Sequence, residues 1–271
     1  MAGDLDLAEH IQLPPGTGYG LVGVSLDFAK AFDRLPQGIL LRLMEEMGMD
    51  SSILRALRGM YCSLERRFKV GQHLGSSFTS SNGILQGCPI SVLLLNAFVE
   101  TWARAVQEEA GPGCTPQGYA DDIGAIAFRT SEVIATCKTT EEYSDLTGME
   151  VSVKKSGVWG PPPALRLELV GRCTIHDTAL PLLVEDRRLG AFLSYRRKRA
   201  RSRIARTLEE CRRMCERIAD LPLPLMPRAQ IVAIQVLSKA LYACGASPPT
   251  KRDLQTLRAA AAKATWEMES Q

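Results

Sequence analysis

Two apolar runs in this chain meet carboxylates, and that constrains its fold more than any other feature. In "GYADDIGAIAF", Gly118 to Phe128, Asp121 and Asp122 stand side by side before Ile123, Ala125, Ile126 and Phe128. In "YGLVGVSLDF" a β-rich run from Leu21 to Phe28 ends at Asp27. Ionised carboxylates lose hydration and repel one another when brought together among apolar residues. If the two runs form neighbouring strands, three acids meet at one edge of a sheet, and the cluster needs a cation. Oxygen-only ligands suit Mg²⁺, with water and substrate phosphates completing its shell. The residues alone also fit a plainer reading, in which "ADD" is an exposed turn and Asp27 caps a helix.

Punctuation along the chain sets the frame for these strands. "PQGILLRLMEEMGM" reads as a helix with Pro36 in its first turn, an apolar stripe of Ile39, Leu40, Leu43, Met44 and Met47, and Gly48 at its stop. A second helix covers about Ser51 to Tyr61, and a hairpin lies near residues 66–80, around Gly71 and Gly75. A long helix starts at Pro89 and ends before Gly111, with Leu93, Leu94, Phe98, Val99 and Trp102 as core. "GYADDIGAIAF" reads as two short strands turning at the acid pair. A helix capped by Ser131 and closed by Gly148 follows, then a strand in "MEVSVKKSGVWG". The pattern is α+β, an antiparallel sheet with helices on one face, of the split βαβ type. "PPPALRLELVG" crosses to a short β region ending near "LGAFLSY". Beyond Tyr195 the chain reads as helices to about Ala219, from Arg228 to Ala243 and from Lys251 to Trp266. This divides it into residues 1–195 and a helical, basic region 196–271.

Charge is uneven. Between Arg187 and Arg217 twelve basic residues face three acids, a balance of +9, so the rest carries 3 − 9 = −6. A basic segment on an otherwise acidic protein suits a polyanionic partner, or else is a solvated helix face. Eight cysteines occur without a C-x-x-C pair and read as buried small hydrophobes. "ISVLLLNAFVETWA" is too short and amphipathic to span a membrane, and "MAGDLDLAEH" is not a signal peptide. The expectation is a soluble, intracellular protein, nuclear or cytoplasmic, with no membrane partner.

Four motifs then occur in order: "VSLDFAKAFDRLP", "GILQGCPISVLLLNAFVE", "GYADDIGAIA" and "LTGMEVSVKKSGV". Their order and spacing resemble the reverse transcriptases of non-LTR (LINE-type) retrotransposons over about Leu21 to Tyr195. The resemblance implies a polymerase palm followed by a thumb-like helical region. It implies an RNA-directed DNA polymerase, with RNA template, DNA primer and deoxynucleotide as partners and two Mg²⁺ ions as cofactor, Mn²⁺ being the substitute. By resemblance Asp27, Asp121 and Asp122 bind the metals, and the Phe28 carbonyl adds a ligand. Phe32 gates the sugar, Gln86 and Gly87 approach the nucleotide and template base, and Lys155 protonates the leaving pyrophosphate. Leu189 and Gly190 position the primer end, and Arg196, Arg197, Lys198 and Arg199 grip the duplex. Asp33 caps or braces the helix after Phe32. Val92 departs from the family, where proline is usual after the serine, and Arg188 stands where an aromatic is usual.

The family's fingers and endonuclease regions lie upstream of the motifs, and only about twenty-six residues precede Asp27. The expectation is a truncated retroelement fragment, weak or inactive by itself. Two rivals stay open: a catalytically silent remnant that at most binds nucleic acid, and another two-metal palm nucleotidyltransferase. The motif "QGCPIS" beside "GYADD" argues against a nucleotide cyclase, which has no template to hold.

Overall fold

The structure is a computed structural model that describes residues 21–62, 64–160, 163–188, 191–195, 201–242, 244–245 and 248–266. The chain divides into two compact units, one up to Leu182 and one from Leu183.

In the first unit four strands form one antiparallel sheet. They are β1 (Val22–Asp27), β4 (Cys114–Tyr119), β5 (Asp122–Ala127) and β6 (Gly157–Trp159), in the order β4-β5-β1-β6. Between β1 and β4 lie α1 (Ala31–Arg34), α2 (Gln37–Glu46), α3 (Ser51–Cys62), the hairpin β2 (Glu65–Val70) and β3 (His73–Thr79), and α4 (Pro89–Ala110). The helix α5 (Thr130–Thr147) connects β5 to β6. It lies along β1 and β5, α4 lies along β4, and the two helices pack on each other over the sheet. The α+β pattern read from the sequence is present, with helices layered on an antiparallel sheet.

Several local expectations change. Ile39, Met47 and Leu93 are exposed, while Leu41 and Leu95 take core positions. Ser131 does not cap α5; the Glu132 carboxylate accepts from the backbone N–H groups of Phe128 (3.1 Å) and Arg129 (3.0 Å). Residues 151–159 are not one strand, for Val151 makes a single bridge with Phe28 and a turn separates it from β6. "PPPALRLELVG", expected only to cross to a short β region, holds a helix, α6 (Pro163–Leu169). Leu165 and Leu169 pack inward four residues apart while Leu167 is exposed, so their alternation in sequence is one helical turn. Two short strands follow, β7 (Thr174–Ile175) and β8 (Thr178–Ala179).

The division falls at Leu182, ahead of Tyr195, for a local reason. Leu182 bridges Val158 of β6 and is tied to the sheet. Beyond it, β9 (Glu185–Arg188) and β10 (Ala191–Ser194) close on each other, and the Tyr195 N–H donates to the Val184 carbonyl at 3.0 Å.

The second unit continues with α7 (Arg201–Ala219), α8 (Leu225–Ile231), a π-helical stretch (Val232–Leu237), α9 (Ser238–Leu241) and α10 (Lys251–Trp266). Its core takes Cys211, Cys215 and Ile218 from α7, Val232 and Val236 from the π-helical stretch, and Leu257 and Ala264 from α10. All eight cysteines are free thiols, and five of them are buried, as their role of small hydrophobes requires.

Candidate active site

The site begins with strand register. β1 and β5 pair so that Asp27 lies directly opposite Asp122, and Asp122 lies opposite Tyr119 on its other side. Directly paired residues of antiparallel strands share a face, so the two acids are neighbours. Asp121 sits in the two-residue turn between β4 and β5, beside Ala120, whose φ of 55° is left-handed. Such a conformation in a non-glycine residue costs free energy and needs support. Asn96 of α4 supplies it, its Oδ1 accepting from the Ala120 N–H at 3.2 Å.

Asp27 and Phe28 are held from the β6 side. The Ser152 N–H donates to the Asp27 carbonyl (2.8 Å), and the Ala29 N–H donates to the Glu150 carbonyl (2.7 Å). These bonds flank Phe28 and do not use its carbonyl. The Asp27 N–H donates to the buried Ser156 Oγ at 3.1 Å, and Ser156 in turn donates to the Ser152 carbonyl. The same turn presents Lys155, whose Nζ lies 3.3 Å from Asp27 Oδ2. This is a charge contact without hydrogen-bond alignment, for Oδ2 is buried and accepts no hydrogen bond. The Lys155 side chain is 70% exposed, so the pair is screened and opens at small cost.

A cleft of about 380 Å³ opens beside the acids, lined by Lys30, Ala31, Phe32, Gln86, Gly87, Val92 and Asp121. Four residues singled out in the sequence for nucleotide and metal contact, Phe32, Gln86, Gly87 and Asp121, therefore share one cleft. Phe32 both packs on the core and lines the cleft. Asp33 does not cap a helix; its Oδ1 accepts from Gln86 Nε2 at 3.1 Å and orients that side chain at the cleft. The segment leading to Gln86 is pinned at Gly83, where φ is 85° and an added Cβ would come within 2.6 Å of the Asp33 carbonyl oxygen. Only glycine fits both demands.

The three carboxylates are not gathered into one cluster. Asp27 and Asp122 face each other, Asp121 is at the cleft, and among the described residues no three His, Cys, Asp or Glu side chains are grouped to hold a metal ion. Like charges spread when they can, and Lys155 compensates Asp27. The donor chemistry nevertheless fits a divalent cation. A buried carboxylate oxygen without a hydrogen bond, a second acid opposite it and a third adjacent to that second one in the chain form a hard, all-oxygen set.

Leu189, Gly190, Arg196, Arg197, Lys198 and Arg199 lie outside the described residues. Lys30, Asn96 and Ser156 act around the site without having been given roles from sequence. Lys30 carries a signal in retrospect, as the cation between Asp27 and Phe32. Among the described residues no helix is long and apolar enough to cross a membrane.

Residues 14–167 match the family described as "Reverse transcriptase (RNA-dependent DNA polymerase)". The Pol polyprotein of the type-1 retrotransposable element R2 from Popillia japonica is 28% identical over 162 residues, which is 57% of this chain and 27% of that protein. The uncharacterized 149 kDa protein of transposon TX1 from Xenopus laevis is 26% identical over 148 residues, 52% of this chain and 11% of that protein. The chain thus spans about a quarter or less of these relatives. Among solved structures, apo telomerase from Candida tropicalis aligns with a TM-score of 0.49 and 11% identity, covering 96% of this chain and 47% of that one.

Proposed function

We propose, for a chain that belongs to the reverse transcriptase (RNA-dependent DNA polymerase) family by its match over residues 14–167, that the β1–β5 edge extends a primer 3′-hydroxyl with deoxynucleotides on an RNA template. The observation that carries this reading is the pairing of Asp27 with Asp122 beside a cleft lined by Phe32, Gln86, Gly87 and Asp121.

Asp27, Asp121 and Asp122 are the residues to hold Mg²⁺. Such ions, when bound, activate an attacking hydroxyl and stabilise a leaving phosphate oxygen. The protein's own part is positioning and charge. Phe32 presents a flat ring where a ribose 2′-hydroxyl would stand and favours deoxynucleotides. Gly87, with φ of 83° and no side chain, lets a nucleotide approach the backbone. Gln86, steadied by Asp33, offers an amide to the same cleft. Lys30 lines it as a cation for phosphate oxygens. Lys155 guards Asp27 in the resting chain and, once released, carries a proton for the departing pyrophosphate.

Primer extension on poly(rA)/oligo(dT) with Mg²⁺ tests this, run alongside template–primer binding on the same folded sample. Mg²⁺-dependent incorporation that disappears in Asp121→Asn is the expected result. A chain that binds but never extends belongs to a nucleic-acid-binding function instead. Extension undiminished by Asp121→Asn refutes the site.

A further inference from the structure

The β2–β3 hairpin has no place in the chemistry above, yet it is built in an unusual way. Among the described residues its two strands pair with each other alone, and all but one of their residues are exposed. Phe68 is 72% exposed and Phe78 40%, and their rings stack at 5.1 Å between centroids with planes 25° apart. Val70 and Leu74 are exposed as well. An isolated two-stranded hairpin is marginal in water, and an exposed apolar surface of this kind marks a binding site.

Charge identifies the partner. Arg66, Arg67 and Lys69 of β2 oppose a single acid, Glu65, whose contact with Arg67 is long at 3.8 Å. Protein interfaces are depleted in lysine at their centres, whereas cations beside aromatic rings are the makeup of surfaces that hold single-stranded nucleic acid. There the cations track the phosphates and the ring faces receive unstacked bases. A duplex hides those faces and gains nothing from the rings.

The hairpin is also anchored near the candidate active site. Arg66 Nη2 donates to the Gly83 carbonyl at 3.4 Å, and Gln37 Nε2 donates to the same oxygen at 2.7 Å. The Ile84 N–H donates to the Phe32 carbonyl at 2.7 Å. From β3 the chain therefore runs through Gly83 directly to Gln86 and Gly87 at the cleft. Gly71, with φ of 58°, forms the tight loop between the strands, and the pairing shifts by one residue between Arg67 and Lys69, at Phe68.

We infer that the β2–β3 hairpin binds single-stranded nucleic acid, with Phe68 and Phe78 as a stacking platform for bases and Arg67 and Lys69 on the flanking phosphates. This rests on the template-binding part of the function proposed above and extends it to a second surface. The probe is a single-stranded oligonucleotide carrying 5-iodouridine, photo-crosslinked to the Asp121→Asn protein so that no catalysis is involved. Crosslinked peptides are expected within residues 65–79. Phe68→Ala is expected to lower affinity for the single strand about tenfold, the effect of losing one stacked base, and to leave duplex affinity unchanged. Arg67→Gln with Lys69→Gln, at exposed positions that do not touch the fold, is expected to flatten the salt dependence. Crosslinks confined to residues 196–217, with affinity unchanged in both variants, overturn the inference. So does a chain that self-associates through the hairpin, becoming monomeric in Phe68→Ala while binding the oligonucleotide as before. Because crosslinking needs no turnover, its failure is separable from failure of primer extension.

Discussion

The two units bury their polar groups differently. In the first, Trp102 is fully buried and its indole N–H donates to Thr140 Oγ1 at 3.0 Å. Thr136, Thr140 and Ser144 each return their hydroxyls to the carbonyl four residues back along α5. Large side chains, among them Phe28, Tyr61 and Phe98, are fully buried in the same core. The second unit is built over cysteine, valine and alanine, and it buries Arg228 to 1% exposure, with no hydrogen-bond partner for Nε, Nη1 and Nη2 among the described residues. A buried cation without a partner is destabilising. A catalytic constellation needs side chains held to a fraction of an ångström. The acids sit on the unit whose helices return their buried hydroxyls to backbone carbonyls, and the buried Asp27 Oδ2 stands out there as an acceptor left open at the site itself, while the thinner core carries a basic helix.

The largest test of this contrast is Trp102→Ala. It removes the biggest buried side chain of the first unit and leaves Thr140 without its donor, at a cost of about 3–5 kcal/mol. In urea titration, with each unit followed by its own probe, only the transition of the first unit should move. Equal movement of both transitions would mean that the units fold as one.

Arg228→Met should act in the opposite direction on the second unit. Replacing a buried, unpartnered ion by an apolar side chain of similar length is expected to stabilise by roughly 1–4 kcal/mol. The same titration checks it, and a loss of stability would reveal that Arg228 has a partner in solution.

The smallest effect is a matter of pH. Hydrogen bonds from Arg212, with Arg213 behind them, hold the Glu209 carboxyl at about 2, against an ordinary 4.5. A depressed carboxyl contributes fully above its unfolded value and loses that contribution as pH falls through the folded one. Between pH 4.5 and about 2 the second unit should therefore lose more stability in the natural chain than in Glu209→Gln. Parallel curves for the two would place this pair among surface ion pairs that contribute nothing measurable.

Legibility in the sequence followed the same divide. Around the acids, strong local signals agreed: apolar β-rich runs, a turn between them, proline at the start of α4 and glycine after its end. The helix α6 went unread, for the prolines of "PPPALRLELVG" mark a crossing, while only the surroundings decide that Leu165 and Leu169 are covered and Leu167 is not. Leu93 was taken for core because it sits in the apolar run Val92 to Leu95, yet the helix turns it outward. Asp33 bracing Gln86 across fifty-three residues, and Asn96 steadying Ala120, leave no mark in local pattern at all.

The sequence by itself determined the α+β pattern, the strand ends at Asp27 and Asp122, the turn at Asp121 and the family motifs. These depend on nearest neighbours along the chain: steric limits on the backbone, side-chain periodicity and the conformational freedom of glycine and proline. The tertiary structure decided the rest. It put Asp27 opposite Asp122, Lys155 on Asp27 Oδ2, Phe32 and Asp121 in one cleft, and Arg228 in an interior where no described residue hydrogen-bonds its guanidinium. Electrostatics and packing act through space between residues far apart in the chain, so their outcome is settled only when the elements meet.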